Sequence, residues 1–255
     1  MNVVSLASGS KGNAYIVEQD ADALLVDCGL GPRIFKARMS EFFSADIRFH
    51  GVLLTHNHSD HISGLKAFLK SNPDVPVYAN EMTADAVVYE TGVSPDVFVR
   101  FENGQDFDVG PFYVEPFSVP HDASDPVGYL IKGKKTYFHA TDIGTPIESA
   151  GKKFASASLA TIEFNHDSQM LHTSGRLPSL IRRIVGPRGH LSNDEAAEFI
   201  TKWASPSIEK VALAHLSQDC NVAHLALEAA SSALTSKGLN GVAVEVFCQD
   251  KVVAL

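Results

Sequence analysis

The chain has 255 residues, of which 45% are hydrophobic and 20% charged, enough to bury a sizeable core in one compact unit. Its formal net charge of -9 argues against a protein that coats nucleic acid nonspecifically. No apolar run approaches the roughly 18 residues of a membrane span, and no secretory signal opens the chain, so we expect a cytoplasmic protein without a membrane partner.

The first part of the chain has the pattern of short strands interrupted by a few helices. Apolar segments predict strands at 3–7, 14–18, 23–27, 51–54, 75–78, 97–101, 112–119, 128–131 and 136–139. Helical periodicity predicts helices at 32–43, from near 62, and at 82–90. This mixture is typical of an α/β protein.

The later part of the chain alternates helices with strands. We predict a helix at 192–203, because Ser192 is a good N-cap and Glu195 stands at the capping-box position. A buried strand at 211–214, a helix at 222–234 and strands at 242–247 and 252–255 follow.

The three cysteines, Cys28, Cys220 and Cys248, are scattered and form no Cys-x-x-Cys pair. This spacing predicts reduced thiols in the core or in a pocket, not a disulfide framework. None of the three has the spacing of a metal ligand.

A dense group of possible metal ligands follows the apolar run 51–54. His56, His58, Asp60 and His61 lie within six positions, and these residue types suit a borderline divalent ion such as Zn²⁺. The histidines are too close together for the helical His-Glu-x-x-His motif of zinc proteases, so a loop after a strand is the better geometry. Two neighbouring ions can be held by such a segment, whereas the alternative is a polar loop of solvated histidines.

Three further residues of this kind also follow apolar strands. His121 comes after 112–119, Asp142 after 136–139 and His215 after 211–214. One such residue alone is usually a cap or a loop residue. Together with the segment after the 51–54 strand they favour convergence on a single cleft at the strand ends.

This set of residues resembles the ligand set of the metallo-β-lactamase superfamily over essentially the whole chain. The resemblance implies a four-layer αβ/βα sandwich. It also implies one metal on His56, His58 and His121, a second on Asp60, His61 and His215, and Asp142 as a bridge. Asp27 resembles the family's first motif, which implies that it orients the ligands from behind.

A closer resemblance is to the YycJ/WalJ branch, whose members are exonuclease-like and related to the tRNase Z and PhnP phosphodiesterases. The segments that support it are 7–13, 120–128, 163–167, 189–193 and 214–217. By this resemblance His190 is the histidine that assists phosphodiester cleavage, although a polar residue just before a helix cap is also common. His166 either lines the cleft behind the ligands or is a buried histidine satisfied by Asp167 or the backbone.

The expected chemistry is therefore phosphodiester hydrolysis by a hydroxide that bridges two divalent metal ions, with Asp60 and His190 as catalytic residues. Histidine-rich sites accept Zn²⁺, Mn²⁺ or Fe²⁺, so the sequence leaves the native metal open. Arg182, Arg183 and Arg188 lie in a stretch without acidic residues and are candidates to bind substrate phosphates. A solvated basic face would have the same composition.

The spacing of the ligands also limits the domain organisation and the partners. The stretches between His121, Asp142 and His215 are too short for a β-CASP cap or a tRNase Z-type arm, so we expect residues 1–255 to form a single domain. The glycine-rich segment 8–13 lacks the Gly-Lys-Ser/Thr order of a P-loop, so no nucleotide cofactor is expected, and a turn with positive φ is the simpler interpretation. The sequence leaves the oligomeric state open.

Two other kinds of function remain open. A small-molecule hydrolase acting on a cyclic phosphodiester, a lactone or a β-lactam would use the same metals. A metal-stabilised protein that binds nucleic acid without cutting it is the other alternative. An iron oxidoreductase of this fold is disfavoured, because such enzymes usually have glutamate where His58 stands.

Overall fold

Two mixed β-sheets organise the chain in the computed structural model, which describes residues 1–44 and 47–255. Within these residues each sheet has seven strands. The strands are β1 Asn2–Ala7, β2 Ala14–Gln19, β3 Asp22–Val26, β4 Arg48–Leu53, β5 Val77–Asn80, β6 Phe98–Phe101, β7 Phe107–Val109, β8 Phe112–Ser118, β9 Val127–Lys132, β10 Thr136–Ala140, β11 Leu159–Glu163, β12 Lys210–Ala214, β13 Ala243–Val246 and β14 Val253–Ala254.

The two sheets have related strand orders. The first runs β14-β1-β2-β3-β4-β5-β6 and the second β13-β12-β11-β10-β9-β8-β7. In each sheet an antiparallel part is followed by a parallel part, β3 to β6 in the first sheet and β10 to β13 in the second. Because parallel strands end at the same sheet edge, residues that follow them lie close together.

Helices cover the outer face of each sheet. Within the described residues they are α1 Pro32–Phe42, α2 Ser59–Ile62, α3 Leu65–Ser71, α4 Glu81–Thr91, α5 Glu148–Ala155, α6 Ser168–Thr173, α7 Pro178–Ile184, α8 Asn193–Trp203 and α9 Ala223–Ser236. One apolar cluster joins the first sheet to the helices α3 and α4, and another joins the second sheet to α5, α8 and α9. The predicted αβ/βα four-layer sandwich is confirmed.

A third apolar cluster lies between the sheets and explains the strand sequences. Val17 and Leu24 from the first sheet pack in the same cluster as Tyr129, Tyr137 and other side chains of the second. Strands covered on both faces need apolar residues at every position, which is why β3 reads as a continuous run, Ala23 to Val26, with no polar residue.

Most predicted elements agree with the structure, and several elements were not predicted. The predicted cap of α8 is confirmed: Ser192 accepts a hydrogen bond from Glu195 N, and Glu195 accepts one from Ser192 N. The elements that the sequence analysis did not predict are β7, α5, β11, α6 and α7. Among the described residues, no helix combines the length and apolarity needed to cross a membrane.

Candidate metal centre

The predicted metal ligands meet at one end of the two sheets, just beyond the ends of four strands. The first sheet supplies the segment 56–61 after β4, and the second sheet supplies single residues after β8, β10 and β12. Each ligand offers an atom to at least one tight group: His56, His58, Asp60, His61, His121, Asp142 and His215. Neither sheet holds a complete set, so the centre depends on both.

The first group of ligands consists of three histidines. His56, His58 and His121 each place one ring nitrogen within 4.8 Å of the others. His121 Nδ1 lies 2.9 Å from the carbonyl oxygen of Gly189, and His56 Nδ1 lies 2.9 Å from the Thr55 hydroxyl. These contacts use the Nδ1 atoms and direct the Nε2 atoms into the site, where His121 Nε2 lies 3.3 Å from His58 Nδ1.

The second group of ligands lies directly beside the first. Asp60 Oδ2 is 3.5 Å from both His61 Nε2 and His215 Nε2. The carboxylate of Asp142 approaches both groups, 3.3 Å from His61 Nε2 and 3.7 Å from His121 Nε2. This arrangement corresponds to the two groups, with Asp142 between them, that the family resemblance implies.

Asp27 lies behind the second group and is completely buried. Its carboxylate is 2.8 Å from His61 Nδ1 and accepts hydrogen bonds from the backbone N–H and the hydroxyl of Thr55. A carboxylate on Nδ1 fixes the ring orientation and presents Nε2 to the cleft. The position of Asp27 therefore suits the orienting role expected for it.

Three residues of the centre have a left-handed backbone conformation. Asp27, Asp142 and His215 have φ values of 58°, 58° and 57°. This region is uncommon for residues other than glycine and is found most often at functional sites, where the surrounding structure enforces it. Here it turns each side chain off a strand end and into the site.

The buried atoms of the centre fit bound metal ions. Among the described residues, His56 Nε2, His215 Nε2 and Asp142 Oδ2 are buried and have no hydrogen-bond partner. Buried polar atoms are normally paired, so three unpaired atoms in one cluster need a partner. Imidazole nitrogens with carboxylate oxygens are the donor set of zinc and related divalent ions.

The protonation states of these groups in the metal-free protein also fit a site for metal ions. Burial holds the pKa of His56 well below its usual value, which keeps this ring neutral and ready to bind a metal. Burial also opposes protonation of His215, but the carboxylates of Asp142, Asp60 and Glu163 outweigh it and raise the pKa of His215 to about 10. The metal-free centre therefore holds protons where a cation would sit.

The sequence analysis missed one important residue, Glu163 at the end of β11. Glu163 is completely buried, with Oε1 2.9 Å from His190 Nδ1 and 3.2 Å from His215 Nδ1. Its other oxygen accepts hydrogen bonds from the backbone N–H groups of Ile143 and Leu191. The signal was present, because Glu163 also follows an apolar strand, but that strand was not predicted.

His190 lines the metal cleft, a cavity of about 290 Å³ that also contains Ser10, Arg183 and several of the ligands. Burial disfavours protonation of His190, but the neighbouring carboxylate of Glu163 outweighs this and raises the pKa of His190. The carboxylate of Glu163 therefore favours the protonated form of His190 beside the ligands. The catalytic role assigned to His190 from the sequence stays a prediction.

The glycine-rich segment 8–13 does form a turn with positive φ, with Gly9 at 141° and Gly12 at 145°. It also does more than the sequence analysis expected. The amide of Asn13 is buried and donates to Asp60 Oδ2 at 3.2 Å, and it lies 3.0 Å from His61 Nε2. The turn therefore holds the ligand segment from the side of the first sheet.

The predicted substrate-binding arginines have different surroundings. Arg183 lines the metal cleft and pairs with Asp122. Arg188 donates from Nε to the carbonyl oxygen of His121, so it supports a ligand. Arg182 is exposed and, in the part of the chain that the structure describes, lies outside the metal cleft.

His166 is buried. Its Nδ1 atom has no hydrogen-bond partner among the described residues, and its backbone carbonyl accepts from Asn193 N at the start of α8. Its proposed role behind the ligands stays a prediction.

Known proteins are similar to this chain in sequence. The model of the beta-lactamase superfamily domain matches residues 23–215. The exodeoxyribonuclease YycJ of Bacillus anthracis is 37% identical over 252 residues, covering 96% of this chain and 94% of that protein. The exodeoxyribonuclease WalJ of Streptococcus pneumoniae is 33% identical over 225 residues, covering 87% of this chain and 83% of that protein.

Solved structures share the fold at low sequence identity. The crystal structure of Zn²⁺-bound PqqB from Methylobacterium extorquens superposes with a TM-score of 0.70 at 16% identity. The match covers 100% of this chain and 99% of that one. The fold is therefore common to both proteins over their whole length.

Proposed function

The chain belongs to the beta-lactamase superfamily, in the same branch as YycJ and WalJ, and we propose that it is a metal-dependent phosphodiesterase that shortens nucleic acid, most readily DNA, from an end. The observation that supports this most is the pair of adjacent ligand groups with Asp142 between them and His190 at their edge. Phosphodiester hydrolysis needs positioning and positive charge more than covalent chemistry.

We propose that two divalent ions bind, one on His56, His58 and His121 and one on Asp60, His61 and His215, with Asp142 shared. Zn²⁺ and Mn²⁺ suit these donors, and Fe²⁺ is compatible with them. Bound ions of this kind activate a water molecule and stabilise charge on phosphoryl oxygens. The unpaired buried nitrogens of His56 and His215 support this occupancy.

The chain's own residues would then move the protons. Despite burial, which opposes ionisation, the neighbouring His61 and His215 lower the pKa of Asp60, so its carboxylate stays ionised and can orient the attacking water by accepting a hydrogen bond from it. His190, held through Nδ1 by Glu163, keeps Nε2 for the leaving oxygen and donates a proton to it. Asp60 is thus proposed to orient the water, and His190 to act as the acid.

We further propose that residues 1–255 act as a single domain without a β-CASP cap or a tRNase Z-type arm. The apolar cluster shared by both sheets supports one unit. Substrate would then be held by the cleft itself and by nearby arginines, of which Arg183 reaches the cleft. No nucleotide cofactor is needed for this chemistry.

The decisive test is hydrolysis of 5′-labelled and 3′-labelled single-stranded and double-stranded oligonucleotides by protein loaded with Zn²⁺ or Mn²⁺. We expect shortening from one end by the parent protein and by a matched control, His224→Ala, which removes an exposed histidine from α9. His58→Ala should lose both activity and metal. Hydrolysis of lactones without any cleavage of DNA or bis(p-nitrophenyl) phosphate would overturn the proposal in favour of a small-molecule hydrolase.

A further inference from the structure

A second cavity, which we call the side pocket, opens next to the metal cleft. It has a volume of about 160 Å³ and shares Ser10, Arg183 and His190 with the cleft. Arg176 and Leu180 contribute to its outer wall. Because the two cavities share a wall, a substrate whose reacting group lies at the ligands would extend directly into the side pocket.

The side pocket has two guanidinium groups, each paired with an aspartate. Arg176 Nη2 is 3.0 Å from an oxygen of Asp219, whose side chain is 78% exposed. Arg183 Nε is 2.5 Å from an oxygen of Asp122, and the Arg183 side chain is itself 62% exposed. Exposed ion pairs contribute little to stability, whereas arginine binds phosphate through paired, charge-assisted hydrogen bonds. A phosphate can therefore replace Asp219 as the partner of Arg176 with little loss of free energy.

The remaining wall is partly neutral and polar and partly apolar. Ser217 uses its hydroxyl oxygen to accept from Cys220 N, so its hydroxyl hydrogen is free to donate to a ligand. Leu180 and Ile184 form an apolar side. Asp122 is the only carboxylate among the residues described as lining the pocket, and Arg183 neutralises it. A phosphate attached to a sugar has the same combination of charge, hydrogen-bond acceptors and apolar carbon.

We propose that the side pocket binds the phosphate next to the scissile phosphodiester, so that the enzyme recognises two consecutive phosphates of a strand. This inference rests on the proposed function and specifies its substrate. The volume supports it, since about 160 Å³ is below the roughly 300 Å³ at which pockets accommodate whole small molecules. The pocket has room for a phosphate with part of its sugar, not for a strand passing through.

Dinucleotides provide the direct test, because the number of phosphates can be varied around one scissile bond. A dinucleotide with a single internal phosphate is compared with the same dinucleotide carrying an additional 5′-phosphate or 3′-phosphate. We expect one of the two phosphorylated forms to be hydrolysed with a kcat/KM about 10-fold higher, mainly through a lower KM. Which form gains identifies the strand end that occupies the pocket. Equal values for all three dinucleotides would overturn the proposal.

Arg176→Gln should abolish this gain and leave hydrolysis of the single-phosphate dinucleotide and of bis(p-nitrophenyl) phosphate unchanged. The matched control is Arg48→Gln, because Arg48 also pairs with an aspartate, Asp22, but at the opposite end of the first sheet. The control corrects for the loss of one positive charge. A gain that survives Arg176→Gln, or one that Arg48→Gln also removes, would contradict a specific pocket.

Failure of the proposed function can be recognised separately. If no dinucleotide and no bis(p-nitrophenyl) phosphate is hydrolysed, calorimetric binding of the three dinucleotides to metal-loaded protein still tests the pocket. Binding about 10-fold tighter for one phosphorylated form, lost in Arg176→Gln, would retain the pocket without the activity. Binding affinity that does not depend on the second phosphate would exclude the side pocket as a phosphate site.

Discussion

Glu163 links the group proposed to donate a proton with a metal ligand. One carboxylate oxygen contacts His190 and His215, and the other accepts two backbone hydrogen bonds. Burial would raise the pKa of Glu163, but the adjacent His190 and His215 outweigh it and lower this pKa to about 2. Glu163 therefore stays ionised and fixes the charge of its neighbours.

Replacing His190 by alanine should lower turnover by about 10²- to 10⁴-fold, the usual contribution of a general acid. The metal content should stay at the parent level, because His190 lies outside the two proposed ligand sets. Hydrolysis of bis(p-nitrophenyl) phosphate and metal analysis of the same preparations measure both quantities. Parent-level turnover in this variant would remove His190 from the mechanism.

Replacing Glu163 by glutamine should move the alkaline limb of the pH–rate profile to lower pH. The carboxylate raises the pKa of His190, and the neutral amide does not, so this pKa falls in the variant. An acid works only while protonated, so activity is lost as pH rises through that pKa, which the variant reaches sooner. The kcat profile of both proteins, with His190→Ala as a reference, measures the shift. An alkaline limb that stays in place would argue against the coupling of Glu163 to His190.

Metal binding should release protons near neutral pH. In the metal-free protein the pKa of His215 is about 10, so this ring is protonated, and a metal binds only the neutral ring. Calorimetric titration of the metal-free protein in buffers of different ionisation enthalpy gives the number of protons released. We expect at least about one per protein. A binding enthalpy that is the same in every buffer would contradict this charge assignment.

At the scale of the elements, the turn 8–13 has a larger role in the site than its sequence indicated. Asn13→Ala removes the amide that donates to Asp60, so the affinity for the metal at Asp60, His61 and His215 should fall by about 10- to 100-fold. Competition with a coloured chelator measures this affinity without any turnover. Asn72→Ala is a matched control, since that amide donates to the carbonyl oxygen of Phe68 within α3 and, among the described residues, to no other acceptor. Equal metal affinities of the two variants would show that Asn13 shapes the turn but does not support the metal ligands.

The secondary-structure elements also show which features of the fold and the site can be predicted from sequence patterns. Most strands covered on both faces were recognised as apolar runs, and the candidate ligands that follow β4, β8, β10 and β12 were predicted from residue type, position and the family resemblance. The helix α5 was missed because Gly151 is a poor helix former; a side chain there would come within 2.2 Å of the Trp203 ring. Glu163 was missed because its strand, β11, was not predicted from the sequence, so its position at a strand end was not recognised.

At the scale of the whole molecule, the metal centre joins the two sheets. Each proposed ion would be bound by residues from both, for example His58 from the first sheet and His121 from the second. A metal held in this way stabilises the packing of one sheet on the other. Because the sequence spacing of ligands gives no distance between sheets, only the structure shows that the ligands from both sheets converge.

Metal loading should therefore raise the thermal stability of the whole protein. At a free metal concentration about 100 times the dissociation constant, one site contributes about 2.7 kcal/mol to the free energy of unfolding. Thermal unfolding of chelator-treated and reconstituted protein measures the difference, and His58→Ala should show a smaller increase. A melting temperature unaffected by metal would indicate that the folded protein does not bind metal in preference to the unfolded chain.

The chain passes from the first sheet to the second between β6 and β7, in the short stretch 102–106. A cleavage placed there would give two fragments, one ending after the 56–61 ligands and the other containing His121, Asp142 and His215. Neither fragment would have a full ligand set for either ion. Reassembly of such a split protein would be driven by the apolar cluster between the sheets and strengthened by the metal. A metal-dependent change in reassembly would make the fold usable as a genetically encoded reporter of available zinc or manganese.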